Sequence, residues 1–186
     1  MKWIVLCILS VGFYSCTEPM SEVDKQMTHV IGEFSKRMWQ EDHLYLCSFG
    51  GGGSPDDRMD HLSLGYEAQR DHPYTLEEAR ELYVKCVEKL LRYINEEYTA
   101  IHPCLCKYPA DIENLDFDIR FANADGRILK DGSPTYVFNN KHRICYRKRQ
   151  EGVDWLLDLH EETYEEALRI VQEKAAAAQA TDQPQL

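Results

Sequence analysis

Three short stretches of this chain carry residues that could do chemistry. "HPCLC" places His102, Cys104 and Cys106 within five residues, soft donors suited to copper(I) or zinc. Only three ligands lie locally, and no paired Cys-x-x-Cys completes a tetrahedral set, so a loop plugged by Pro103 and Leu105 is the plainer reading. "CSFGGGG" sets Cys47 ahead of a glycine run, the outline of a nucleophile beside an oxyanion-binding turn, with His61 or His72 as base. Four consecutive glycines must be ordered at every turnover, which favours a flexible hairpin loop over a preorganised site. No Gly-Lys-Ser/Thr follows, so the run is not a phosphate-binding loop. In "KHRICYRKR" a strand would put Lys141, Arg143, Cys145, Arg147 and Arg149 on one face. Arg143, Arg147 and Arg149 are then a candidate anion patch. The competing reading, which the residues favour, is a charge ladder against Asp116 and Asp118 of "LDFDIR".

The thiols form a fourth group. Five cysteines follow Cys16, an odd number that cannot all pair within one molecule. Cys86 falls on the apolar face of a helical stretch and reads as a packed free thiol. Cys47, Cys104, Cys106 and Cys145 remain as a candidate thiol or disulfide cluster. Cys104 and Cys106 are too close in sequence to bridge each other. Either could reach Cys47 or Cys145 and tie the Pro103 loop to a sheet, worth about 2–4 kcal/mol.

These residues need elements to position them. Val23, Met27, Val30, Ile31, Phe34 and Met38 recur at helical spacing and predict a helix over 19–40. "HLYLCSF" and "HLSLGYEA" have strand composition and predict a hairpin across 43–68 with a long glycine loop. "TLEEARELYVKCVEKLLRYINEE" opens with a Thr75/Glu78 capping box and carries Ala79, Tyr83, Cys86, Val87, Leu90 and Ile94 on one side. "LDFDIRF" alternates strictly, "TYVFNNKHRICYRKR" reads as a hairpin, and Thr163 with Glu166 caps a last helix. "GVDWLLDLH" is ambiguous between strand and helix. The order α-β-β-α-β-β-β-α predicts an α+β fold, an antiparallel sheet of about five strands with helices on one face.

The N-terminus has a different character. Lys2 followed by the apolar run Trp3–Phe13 reads as a signal peptide over 1–15, too short to span a bilayer permanently. "FYSCTE" at its end resembles the lipobox of bacterial lipoproteins. Ser15 fills the small position before Cys16, while Phe13 and Tyr14 depart from the usual leucine and small residue. The resemblance implies that Cys16 is lipidated and holds the chain on a membrane. Thr17 in place of an aspartate then implies the outer membrane, facing the periplasm. Simple secretion is the alternative. Residues 16–180 would form one α+β domain, and 181–186 a disordered tail. "EEAR", "YINEE", "YP" and "ENLDFDI" also make residues 43–146 similar to a group of uncharacterised exported proteins from intracellular Gram-negative bacteria, a likeness that carries no activity.

Length and charge set the outer bounds. A chain of 186 residues with 44% hydrophobic residues can bury a core without metals or bridges. Thirty-two acids oppose 21 bases, a net charge of −11, which argues against binding nucleic acid. No cofactor is implied. The sequence therefore points to an envelope lipoprotein whose domain binds or scaffolds an unknown protein or small molecule. The alternatives are a cysteine- or histidine-dependent hydrolase and a metal-handling protein using His102, Cys104 and Cys106.

Overall fold

Ser21 accepts a hydrogen bond from the Asp24 backbone N–H at 3.1 Å and so starts helix α1, Glu22–Asp42, in the computed structural model, which describes residues 20–53 and 58–181. Val30, Ile31, Phe34 and Met38 form its buried stripe, and His43 ends it in the left-handed conformation (φ 53°). The leader and Cys16 lie outside the described residues. Strand β1 follows at Leu44–Gly53 and pairs antiparallel with β2, Met59–Arg70.

Here the structure corrects the sequence reading: the glycines are strand, not loop. Gly50, Gly51, Gly52 and Gly53 stand opposite Ser63, Leu62, His61 and Met59. The physical reason is close approach, since a Cβ at Gly51 would sit 2.7 Å from the Met27 sulfur and one at Gly52 2.2 Å from the His61 ring.

Helix α2, Leu76–Arg92, carries the predicted capping box, with Thr75 N–H donating to Glu78 and Glu78 N–H donating to Thr75. It continues as a wider turn over Tyr93–Glu97, and short 3₁₀ turns cover Thr99–Cys104 and Ile112–Asn114. Then come β3 (Leu115–Asn123), β4 (Asp131–Asn140), β5 (Arg143–Gln150), β6 (Leu157–Thr163) and α3 (Tyr164–Thr181). Of the ambiguous "GVDWLLDLH" segment, residues 157–160 are thus strand and 152–156 are not. The sheet has six strands in sequence order. It is mixed rather than wholly antiparallel: β2 and β3 run parallel because α2 carries the chain back across the sheet between them.

That parallel pairing builds the core. Leu62, Leu64, Tyr66 and Ala68 lie beside Leu115, Phe117, Ile119 and Phe121, all buried and packed with the α1 and α2 stripes in one cluster. Cys86 is fully buried on α2, and burial pushes its thiol pKa up.

Two polar devices close the helix side. The β3–β4 ladder is short, running only from Asp118 to Arg120, and leaves β3 backbone groups to be satisfied otherwise. Buried Asn139 supplies them: its Oδ1 accepts from the Phe117 N–H at 2.8 Å and its Nδ2 donates to the Leu115 carbonyl at 2.6 Å. The Tyr83 hydroxyl lies 3.0 Å from both Asn139 Oδ1 and the Phe117 carbonyl. Arg80 Nε meets Glu162 Oε1 at 2.8 Å, a buried ion pair between α2 and β6.

Replacing Asn139 by Leu strands the Phe117 N–H and the Leu115 carbonyl and should cost about 3 kcal/mol, whereas Tyr83→Phe should cost about 1 kcal/mol. Urea-unfolding midpoints of the two variants check the order. Equal losses would contradict it.

Candidate functional site

With the helices on one side, alternation turns the intervening residues to the other. Ser63, Gly65, Glu67 and Gln69 of β2 stand beside Asp116, Asp118, Arg120 and Ala122 of β3. Asp118 pairs with Phe138, and Arg120 with Tyr136; Phe138 and Tyr136 then pair with Cys145 and Arg147 of β5. This open face is the candidate site.

Its centre is an acid built over a glycine. A Cβ at Gly65 would sit 2.9 Å from both Asp118 carboxylate oxygens and 2.2 Å from Ser48 Oγ, so glycine makes the room into which both side chains lean. Burial pushes the Asp118 pKa up to about 6, and a hydrogen bond from the Tyr136 hydroxyl only partly offsets that. Tyr136 is itself pushed up to about 12, first by burial and then by the Asp118 charge, so its hydroxyl stays protonated and donates.

Most other charges on this face are cancelled by a neighbour. Arg120 pairs with buried Glu67, which also accepts from Gln69 Nε2 at 2.5 Å. His61 Nε2 lies 3.4 Å from Asp116 Oδ2, Arg143 Nε lies 2.5 Å from Glu161 Oε1, and Arg147 pairs with Asp158 while lying over the Phe138 ring. Two groups stay outside this scheme among the described residues. Asp118 has no cationic partner, and Arg149 has a buried Nε without a hydrogen-bond partner. Arg149 lines a groove of about 250 Å³ with Arg120, Ile128, Thr135, Tyr136 and Leu156.

The residues singled out from sequence land as follows. Arg143, Arg147 and Arg149 do alternate along β5, and a charge ladder exists. Its acids are Glu161 and Asp158 of β6, however, because β4 separates β5 from Asp116 and Asp118. The three arginines are not one patch, since two are neutralised and only Arg149 is not.

The four cysteines do not converge. Cys47 and Cys145 lie on β1 and β5, four strand spacings or roughly 19 Å apart. The Cys106 N–H donates to the Met59 carbonyl at 3.0 Å, at the start of β2. Cys47 and Cys145 stand level with Gly65, roughly 20 Å further along the strands, far beyond the ~7 Å a disulfide spans between Cα atoms. Cys47, Cys106 and Cys145 are thiols, so the expected bridge does not form. Cys47 is exposed, and its Sγ lies 3.5 Å from the Tyr45 carbonyl. The register puts His61 four residues along β2 from Gly65, roughly 13 Å from the Cys47 level, too far to act as its base. His102 is engaged otherwise, with Nε2 2.9 Å from the Ile94 carbonyl and its ring 4.0 Å from Tyr108. No group of three His, Cys, Asp or Glu among the described residues is placed to hold a metal.

The sequence offers Asp118 as a ladder acid and shows neither its bond from Tyr136 nor its seat over Gly65. A signal existed, since an isolated glycine inside the strand pattern "LSLGYEA" marks a close approach. No family model, curated protein or solved structure matches the chain. No helix among the described residues is long and apolar enough to cross a membrane.

Because the folded-state pKa of Asp118 is raised above its ordinary value of 3.8, the fold holds a proton that the unfolded chain releases between pH 4 and about 6. The stability contributed by this group is therefore complete below pH 4 and lost as pH rises through 6. Asp118→Asn should flatten that decline, read as the pH dependence of Tm for variant and parent. Parallel curves would show that Asp118 titrates normally.

Proposed function

We propose that this chain is an exported lipoprotein, held on the envelope through an acylated Cys16, whose domain binds a ligand on the open sheet face and does not turn it over. The observation that carries the binding reading is the distribution of charge on that face. Its acids and bases cancel in neighbouring pairs, except at Asp118 and Arg149, which flank Tyr136. A carboxyl half-withdrawn from water and a guanidinium with an unmet donor are each costly to maintain, and each is relieved by a partner brought from outside.

The same groups argue for holding over reacting. Tyr136 keeps its proton across the physiological range and fixes Asp118 by donating to it, so this pair orients polar groups and presents no activated nucleophile. The anchoring half of the proposal is supported by the leader that ends at Cys16 and by the lipobox resemblance. Acyl chains contribute about 0.8 kcal/mol per buried methylene, so a multiply acylated cysteine holds durably. The outer membrane, with the domain facing the periplasm, is the place this reading assigns.

Intact-mass analysis of the protein made in its own host tests the anchor. The expected product begins at Cys16 with added acyl mass and fractionates with membranes, and Cys16→Ala releases it. An unacylated soluble product from the parent chain would defeat the anchoring proposal.

A further inference from the structure

We propose that the groove between β3, β4 and β5 is a site for a small organic monocarboxylate with an apolar, preferably aromatic, tail. The inference rests on the binding reading above and names its ligand class. It starts from Arg149. A guanidinium is expensive to withdraw from water, and its fork of donors is shaped for a carboxylate. Arg149 keeps its Nε buried with no acceptor among the described residues, whereas Arg143 and Arg147 on the same strand each have an acid of β6. Arg149 lines the groove and has no ion-pair partner among the described residues, so an acid brought there by a ligand meets a charge the protein leaves unpaired.

The walls state what else that ligand carries. Ile128 and Leu156 supply an apolar side, and the Tyr136 ring, 5.4 Å from the ring of Phe138, supplies an aromatic one. Arg120 adds a second cation at the rim, partly spent on Glu67. The volume of about 250 Å³ lies just below the ~300 Å³ where drug-sized ligand pockets begin, so the occupant is small. Asp118 restricts the charge. It is hydrogen-bonded to Tyr136 and ionised above about pH 6, so it repels a second anionic group placed beyond the tyrosine. One carboxylate on Arg149 and a neutral tail along Leu156, Ile128 and Tyr136 satisfies every wall.

Calorimetric titration of the full chain with 3-phenylpropionate tests this, with 3-phenylpropionamide as the neutral counterpart and inorganic phosphate as the bare anion. The expected result is saturable binding of the carboxylate and binding of the amide and phosphate weaker by about tenfold or more, the cost of losing a charge-assisted pair or the tail. Arg149→Met should remove the preference for carboxylate over amide. Leu156→Glu, a change at an exposed rim position that leaves the core untouched, should weaken the carboxylate without altering the unfolding midpoint. Arg143→Ala should leave binding unchanged. Equal binding of carboxylate and amide, phosphate binding as tight as the carboxylate, or undiminished binding in Arg149→Met would each overturn the site. Amide shifts at Asp118 and Phe138 that persist in Arg149→Met would keep the open face as a binding surface while removing this groove. Absence of heat and of shifts with every probe would overturn the inference, and the mass of Cys16 would still decide the anchor by itself.

Discussion

The parallel register of β2 against β3 is the constraint on which the rest of the molecule depends. It sets Leu62, Leu64, Tyr66 and Ala68 level with Leu115, Phe117, Ile119 and Phe121, so one face of two adjacent strands is continuously apolar and takes α1 and α2. The period of a strand is two, so a slip of one residue would turn this set to water and bring Asp116, Asp118 and Arg120 inward. The register is thus fixed by the hydrophobic effect rather than by a turn, since α2 lies between the two strands. The same alignment sets Gly65 beside Asp118. The site is a by-product of the core: the pairing that buries the leucines also lays a carboxylate over a residue with no side chain.

Polar groups on the two faces are handled by different rules. On the helix side they are few, and Asn139, Tyr83 and the Arg80–Glu162 pair are engaged with one another or with backbone, an unmet donor in a core costing about 1–3 kcal/mol; the buried Tyr146 hydroxyl is the exception among the described residues. Asn139 and Tyr83 replace part of a ladder that β3 and β4 make only over three residues, and Arg80–Glu162 ties α2 to the edge strand β6. On the open side, pairs such as Arg143–Glu161 are exposed to water and contribute little to stability. Their effect is on selectivity, since a face whose charges cancel locally exerts little pull of its own. Whatever it recognises must be read through the groups left over.

The helices were legible in the sequence because capping and spacing act locally: Thr75 with Glu78, and the stripe from Val30 to Met38, need no tertiary information. The helix-backed sheet followed from element order, but its mixed character did not, because strand direction depends on the route of α2. The glycine run reads as a loop for a physical reason. Glycine signals flexibility in isolation, and only contact with Met27 and His61 shows that it was needed for space. The basic strand belongs to a charge ladder, as its sequence suggests, but its partners are the acids of β6 because β4 intervenes before Asp116 and Asp118. The cysteines cluster only along the sequence; the fold holds Cys47 and Cys145 roughly 19 Å apart and both roughly 20 Å from the level of Cys106. Asp118 was visible, while its neighbours were not, since three strands and a glycine come together there only after folding.

The sheet is also least regular where the groove lies. β4 carries two register shifts against β5, between Asp131 and Pro134 and between Pro134 and Tyr136, and β6 shifts against β5 between Tyr146 and Arg147. Extra residues of this kind leave ladder groups unpaired and re-aim the side chains beside them. Thr135 is the extra residue next to Tyr136, and its hydroxyl donates to the Arg147 carbonyl at 3.3 Å, holding the bulge closed. Pro134 fits here for the same reason, because a bulge does not ask for its missing N–H. The extra residues lie on β4 and β6, so β5 keeps its alternation through Arg147 and Arg149. The pairing of β6 ends with Leu157 opposite Lys148, so no acid of β6 stands level with Arg149 and the arginine is left without one. Ladder hydrogen bonds are given up there, and what the fold gains is a concave, cationic recess beside Tyr136 on an otherwise acidic protein.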